Sequence, residues 1–414
     1  NYNATTSEVA KLEILKYTVT FDNNGHGTQT SPIENVVSGD TIKEPERPTD
    51  EDYYFMGWYK EASCESIWDF ANDTVNDGDV TLYAKWQLKS SFEANWTDKD
   101  GNEHFGSLDD ALKYAEQEHE KDPSSKTDIN IQNDVTINDD KVLPEGTNLT
   151  VKNPNKLTIG ENGSITVPKG SSLDLEEGST LDNNGNVKND GEFNNDGTFN
   201  NNGAFGNDGS FKNGGTVSNT GTVDNNGDIK NDGDIQNKED ADFNNNGKLD
   251  NSGTLGNEGS LNNGEQGTVN NNGTVENSGD IKNDGEIQNK ENADFNNNGK
   301  LDNTGTLGNE GNLNNGENGT ISNAGTVDNT GAIKNDGDIK NNKGSDFNNN
   351  GKLDNNGTLG NEGSLNNGEN GIVNNNGTVD NDGEIKNDGD IKNNKDSDFN
   401  NNGKLDNSGT LGNE

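Results

Sequence analysis

From Gly185 to Glu414 the chain repeats a unit of six residues, Gly-x-Φ-x-Asn-x, where Φ is an aliphatic residue or phenylalanine. The first eight units, Gly185 to Asp232, run unbroken. Thereafter one unit in four is lengthened to eight residues, beginning at Gly233, Gly259, Gly285, Gly311, Gly337, Gly363 and Gly389. The insertion recurs every 26 residues, and Phe243, Phe295, Phe347 and Phe399 mark a longer period of 52. Self-similarity this regular predicts a solenoid. In extended chain alternate side chains share a face, so Gly, Φ and Asn point inward and the other three positions point out. Each stacked Φ then buries about 1.5–3 kcal/mol of apolar surface. The Asn side chains bond along the stack or satisfy the turns, and Gly is expected to supply an unusual φ at the corners.

The insertions carry an expectation about coil size. They stack in register when a coil holds four units, or two, whereas a triangular coil of three units walks the insertion around the axis. The four-unit coil is favoured on this reading. With coils about 4.8 Å apart, the repeat region would span about 40 Å for four units or about 85 Å for two.

Upstream the pattern changes. In residues 88–184, Ser107-Leu-Asp-Asp110 has the form of a capping box, and Leu108, Ala111, Leu112 and Ala115 fall at helical spacing. Short alternating runs follow: Ile129-Asn-Ile131, Val135-Thr-Ile137, Leu149-Thr-Val151, Leu157-Thr-Ile159, Ile165-Thr-Val167 and Leu173-Asp-Leu175. A helix leading into such runs resembles the capped first rungs of a right-handed, pectin-lyase-like β-helix. Its physical task is to cover unpaired strand edges on the first coil.

Residues 17–87 hold three of the four Trp and much of the Tyr. Val19-Thr-Phe21-Asp-Asn-Asn24-Gly25 reads as a strand running into a turn. Pro45 and Pro48, Phe55-Met-Gly-Trp58-Tyr59, Trp68-Asp-Phe70 and Leu82-Tyr-Ala-Lys-Trp86 follow in order. This succession resembles the Listeria–Bacteroides repeat, also called the internalin B-repeat. The resemblance implies a small β-grasp-like module of bacterial surface proteins, used as a spacer or protein contact, with no catalytic residue to carry over. The aromatic residues are expected to fill its core, since each buries about 150–250 Å². Residues 1–16 form a leading segment. Its Val9, Leu12 and Ile14 are candidate assembly residues, as a strand that another subunit's solenoid end would receive.

Composition narrows the function. Only 24% of the 414 residues are apolar and the net charge is −44, which argues against nucleic acid and anionic membranes as partners. It leaves cations, uncharged glycans and proteins. Low hydropathy with high charge is also a mark of disorder, but disorder requires no register of Φ and Asn. Cys64 is the single cysteine, so no internal disulfide forms, and no apolar run is long enough for a membrane helix. A start at Asn1 rather than Met is read as a signal peptide removed or never included, and the chain as exported.

Chemical motifs are few. Asp242, Asn244, Asn246 and Asp250 match part of an EF-hand loop, yet Gly253 stands where the bidentate Glu belongs. The same residues fit two ordinary solenoid units, so no metal site and no cofactor are assigned beyond calcium held loosely by outer carboxylates that would otherwise repel. The array contains no Arg and no His; Arg47, His26, His104 and His119 all lie upstream. A polysaccharide lyase, the natural enzyme for a β-helix, needs a cationic base, and a fold alone confers no activity. Ice binding would need an unbroken Thr array, which Asp, Glu and Lys interrupt.

Together these features predict an all-β protein: a parallel β-solenoid, a right-handed β-helix by resemblance, with a capping helix and a small β-grasp-like domain. The function they point to is non-enzymatic, the stalk of a surface adhesin or the subunit of an extracellular fibre. Asp250-Asn-Ser-Gly-Thr-Leu255 is similar to rungs of filamentous-haemagglutinin-like adhesins. The alternative is a β-helix polysaccharide lyase or glycan-binding protein. Partners would be a second copy joined through the solenoid end or the N-terminal strand, or a cell-surface protein or glycan, without membrane insertion.

Overall fold

The computed structural model describes residues 14–414, in two compact units, one ending at Phe92 and the other running from Glu93 to Glu414. The module expected at residues 17–87 lies within the first unit, and the rungs and the repeat array lie together in the second.

The first unit is a mixed sheet of four strands, β1 (Lys16–Asp22), β2 (Ile33–Val37), β3 (Tyr53–Tyr59) and β4 (Val80–Leu88), in the order β2-β1-β4-β3. Only the β1–β4 pair is parallel. Its core is aromatic, as expected: Trp58 is 1% exposed, with Phe21 and Phe55 set edge-on at 4.7 and 5.2 Å between centroids. The Trp86 indole donates to the Asn23 carbonyl at 2.9 Å.

The second unit opens with a hairpin, β5 (Ala94–Thr97) and β6 (Glu103–Gly106), followed by α1 (Leu108–Lys121). The predicted capping box is present: Ser107 Oγ accepts from the Asp110 N–H, and the Asp110 carboxylate accepts from the Ser107 N–H, both at 3.1 Å. Leu108, Ala111, Leu112 and Ala115 are the buried face of the helix. The first coil follows as β7 (Thr127–Ile131), β8 (Val135–Ile137) and β9 (Asp140–Val142). These strands begin three parallel sheets that run the length of the solenoid. β5 pairs antiparallel with β7 and closes the lower edge of the first sheet.

Each coil holds three units, one on each sheet, against the expected four or two. Val187 lies over Ile165, and Phe205 over Val187, with partners 18 residues apart in a coil of hexads. The insertion does walk around the axis. The lengthened units contribute strands Asp234–Asn237, Ser260–Asn263 and Glu286–Asn289, which belong to the second, third and first sheets in turn. The extra residues leave at the corner as an outward loop, so the strand keeps its register and nothing requires one loop to sit over another. About 14 coils at roughly 4.8 Å give the solenoid a length of about 65–70 Å.

The interior matches the predicted rows. Φ side chains form one continuous core, nearly all below 3% exposure. At position five, aliphatic Ile159, Val167 and Leu175 give way to Asn183, Asn189 and Asn195 in the next coil. From there three asparagine ladders run up the corners, each Nδ2 donating to the Oδ1 above, as in Asn183–Asn201, Asn189–Asn207 and Asn195–Asn213 at 2.7–2.8 Å. Buried amides are thus paired with one another, as burial of polar groups demands.

The corner glycines have a different cause from the one expected. Their φ angles are ordinary. A Cβ on Gly273 would instead lie 2.5 Å from the Ser252 carbonyl oxygen and closer still to that of Gly253, in the coil below. Backbone approach, not conformational freedom, selects glycine there. Gly206, at an outward position, has nothing within 4 Å of its would-be Cβ. Gly273→Ala is therefore expected to cost about 1–3 kcal/mol by overpacking, while Gly206→Ala leaves urea stability unchanged or raises it by a few tenths. Equal losses in the two variants would overturn this distinction.

Candidate functional site

The outer surface of the solenoid is made of positions two, four and six. Three-unit coils read an eight-unit chemical period, so residues of one type never stack on themselves for long. Along the array, no carboxylate at position two or four lies directly over another in the strand registers. Above several Asp residues stands an Asn that donates to it: Asn244 to Asp224, Asn270 to Asp250, Asn348 to Asp328 and Asn400 to Asp380, each at 2.8 Å. The stacked carboxylates that would have called for calcium screening are thus separated in these columns. Lys residues add ion pairs along strands, such as Lys300–Asp302 at 2.5 Å, and across coils, such as Lys340–Glu362 at 3.2 Å. All are exposed, and such pairs stabilise by little.

The EF-like residues are not brought together. Asp242 and Asn244 lie on the strand Asp242–Asn245 of the third sheet, and Asn246 is at the corner. Asp250 is on the strand Lys248–Asn251 of the first sheet, turned toward Lys248 and Asn270. Among the described residues no three His, Cys, Asp or Glu side chains form a group suited to a metal ion. Of the assembly candidates, Ile14 is 61% exposed, and Val9 and Leu12 lie outside the described residues.

The three histidines sit apart from one another, on separate elements. Each histidine faces one carboxylate: His26 with Asp50 at 3.9 Å, His104 with Asp98 at 3.0 Å, His119 with Glu145 at 3.7 Å. The His104 hydrogen bond, with help from Asn102, holds the Asp98 carboxyl well below the usual range. His104 also packs in a cluster with Trp96 and Tyr114, the three ring centroids lying 5.8–6.0 Å apart. Burial pushes the Cys64 thiol up, away from the thiolate that a nucleophile needs. A surface depression of about 650 Å³ is lined by Asp190, Asp208 and Asp228 together with Lys169 and Lys248. It offers charges of both signs and no nucleophile–base pair.

The Haemagglutinin repeat family matches residues 131–253, 240–311, 292–363 and 350–414, more than two thirds of the chain. The chain belongs to the haemagglutinin-repeat family. Ahead of its haemagglutinin repeats, residues 17–85 match the Listeria-Bacteroides repeat domain. Relatives include a protein of Evansella cellulosilytica named as a Gly-rich membrane protein, 47% identical over 21% of this chain and 10% of that protein. Internalin H of Listeria monocytogenes is 40% identical over 18% of this chain and 13% of its own length. This haemagglutinin-repeat chain thus aligns with only about a tenth of the length of those curated relatives. A solved structure, the TibC-catalyzed hyper-glycosylated TibA 55–350 fragment, covers 68% of this chain and 94% of its own at 15% identity. Its TM-score is 0.22, too low for any structural argument. No helix among the described residues is long and apolar enough to cross a membrane.

Proposed function

We propose that this chain is the rigid shaft of an exported bacterial surface protein of the adhesin type, with no reaction of its own. The observation that carries this reading is the continuity of the three asparagine ladders: from Asn183 to Asn413 no rung is broken to build a site. An active site needs the opposite, side chains of different chemistry converging on one point. A lyase would also need a cationic base, and the array has neither Arg nor His. Contact with a cell-surface protein or glycan then falls to the N-terminal module or to segments beyond the shaft, and calcium is dispensable to the rod.

Electron microscopy of the purified chain tests this. Single rods with a solenoid of about 65–70 Å, unchanged between EDTA and calcium, are expected. Collapsed or flexible particles would end the shaft reading. Regular filaments would make the chain a fibre subunit instead. Release of unsaturated sugars from acidic polysaccharides would make it a lyase.

A further inference from the structure

The solenoid has two kinds of interior. In its lowest coils both inward positions of a strand are aliphatic, as in Leu149 and Val151, Leu157 and Ile159, and Ile165 and Val167, all fully buried. From Leu181 upward each strand keeps one such residue and buries an asparagine two positions on. The buried face of α1 belongs to the same core as the aliphatic coils, so their underside is closed by apolar contact. Only β9 departs from the pattern. Its Lys141 lies under Ile165 and is pinned to Asp109 on α1 at 2.8 Å, while Val142 faces out, 64% exposed.

The two interiors differ in what a coil achieves alone. An aliphatic coil with the helix beneath it removes apolar surface from water without help from above. An asparagine coil does not. Asn183 Nδ2 donates to Asn201 Oδ1 at 2.7 Å and to the Ala204 carbonyl at 2.8 Å. Asn335 Nδ2 likewise donates to Asn355 Oδ1 at 2.7 Å and to the Thr358 carbonyl at 3.0 Å. All four acceptors sit in the next coil. A buried amide that lacks such partners is destabilising. The base of the ladders shows the same dependence: Asn189 Oδ1 and Asn195 Oδ1, above Val167 and Leu175, are buried with no hydrogen-bond partner. A nucleus started within the array would leave unmatched amides on both its lower and its upper face.

We propose that the coils of residues 127–175, closed below by α1, are the folding nucleus of the solenoid, and that the asparagine coils add to them in chain order. Stacks of equal repeats can nucleate anywhere; unequal interiors assign the start to one end. Each added strand pairs with residues only 18 or 20 positions back in the chain. Once a coil stands, the next therefore closes only a short loop.

Refolding of the full chain from urea, sampled by pulsed hydrogen exchange and mass spectrometry, tests this. Protection is expected first at residues 127–182 and then climbs, reaching residues beyond 300 last. Two fully buried leucines supply the contrast, Leu157 in the nucleus and Leu353 between Ile333 and Val373 high in the array. Leu157→Ala delays protection of every coil above it, residues beyond 300 included, by about tenfold. Leu353→Ala leaves all coils beneath it at wild-type times. Ile159→Val, a change mild enough to keep the fold, reproduces the Leu157→Ala delay in smaller measure. The proposal fails if protection begins at several places together or beyond residue 300. It fails equally if Leu353→Ala slows the lower coils, or if Ile159→Val delays its own coil but not those above.

Discussion

At neutral pH, Asn277→Asp should destabilise the solenoid by about 3–5 kcal/mol, the scale of an uncompensated buried charge. Asn277 is 2% exposed. Its amide nitrogen donates to Asn297 Oδ1 at 2.7 Å and to the carbonyls of Gly279 at 3.0 Å and Lys300 at 3.2 Å, while its Oδ1 accepts from Asn257 at 2.8 Å. A carboxylate keeps the one acceptance and turns every donation into oxygen facing oxygen. The sign of the pH dependence follows. Folding favours the protonated form, so the folded pKa rises above the unfolded value of about 3.9. The penalty is small below that value and grows as pH rises until the folded pKa is passed. Asn277→Ala, which leaves polar groups unpaired but carries no charge, should cost about 1–3 kcal/mol at every pH. Urea unfolding at pH 4 and pH 7 separates the two. A pH-independent loss in the Asp variant would mean that the ladder tolerates a charge.

Phe199→Ala should cost about 3–5 kcal/mol through the cavity it leaves. Four consecutive units place Phe193, Phe199, Phe205 and Phe211 in the core of adjoining coils. Phe199 is fully buried, with Phe193 at 5.1 Å and Phe205 at 5.2 Å between ring centroids. Its neighbours across the core are aromatic, and the branched Leu181 and Val217 below and above it are held in their own rungs by the strand register. Phe295 also lies between two aliphatic residues in its column, Val275 and Leu313, and leucine keeps most of its volume there. Phe295→Leu should therefore cost less than about 1.5 kcal/mol. Because coils interact chiefly with their nearest neighbours, hydrogen exchange should report the Phe199→Ala loss around residues 190–215 and little change beyond residue 300. A uniform loss along the rod would show that the array unfolds as one block.

The register of the solenoid could be read from the chain because every unit repeats the same statement: Φ and Asn are inward wherever they occur. The capping helix was legible for a similar reason, since Ser107, Asp110 and the apolar spacing agree. Coil size was not. The period of the insertions says where loops fall along the chain but not how many units close a turn, and loops that point outward exert no force on that choice. The glycines were recognised as necessary for the wrong cause, because contact with the coil below is a property of stacking that no single unit displays. The EF-like string from Asp242 to Asp250 looked like a site only while it was linear; the corner at Asn246 sends its two ends to different sheets. β9 was missed altogether. Its one apolar residue, Val142, faces out and Lys141 faces in, the reverse of the pattern that marks a strand with a buried face.

The Asn-Gly links of this chain have a chemical consequence of their own. Such a link normally ages by itself: the glycine nitrogen attacks the asparagine side chain, ammonia leaves, and the ring that forms opens to an acidic residue. In the solenoid that nitrogen is already engaged. Gly203, Gly227, Gly247 and Gly273, each following an Asn, donate their N–H to an Asn carbonyl in the coil below at 2.9–3.1 Å. Gly264, following the ladder residue Asn263, does the same at 2.8 Å. The hydrogen bonds that stack the coils thus also slow the clock on a sequence that would deamidate quickly if unfolded. A solenoid made largely of asparagine and glycine can then outlast what its composition alone would allow.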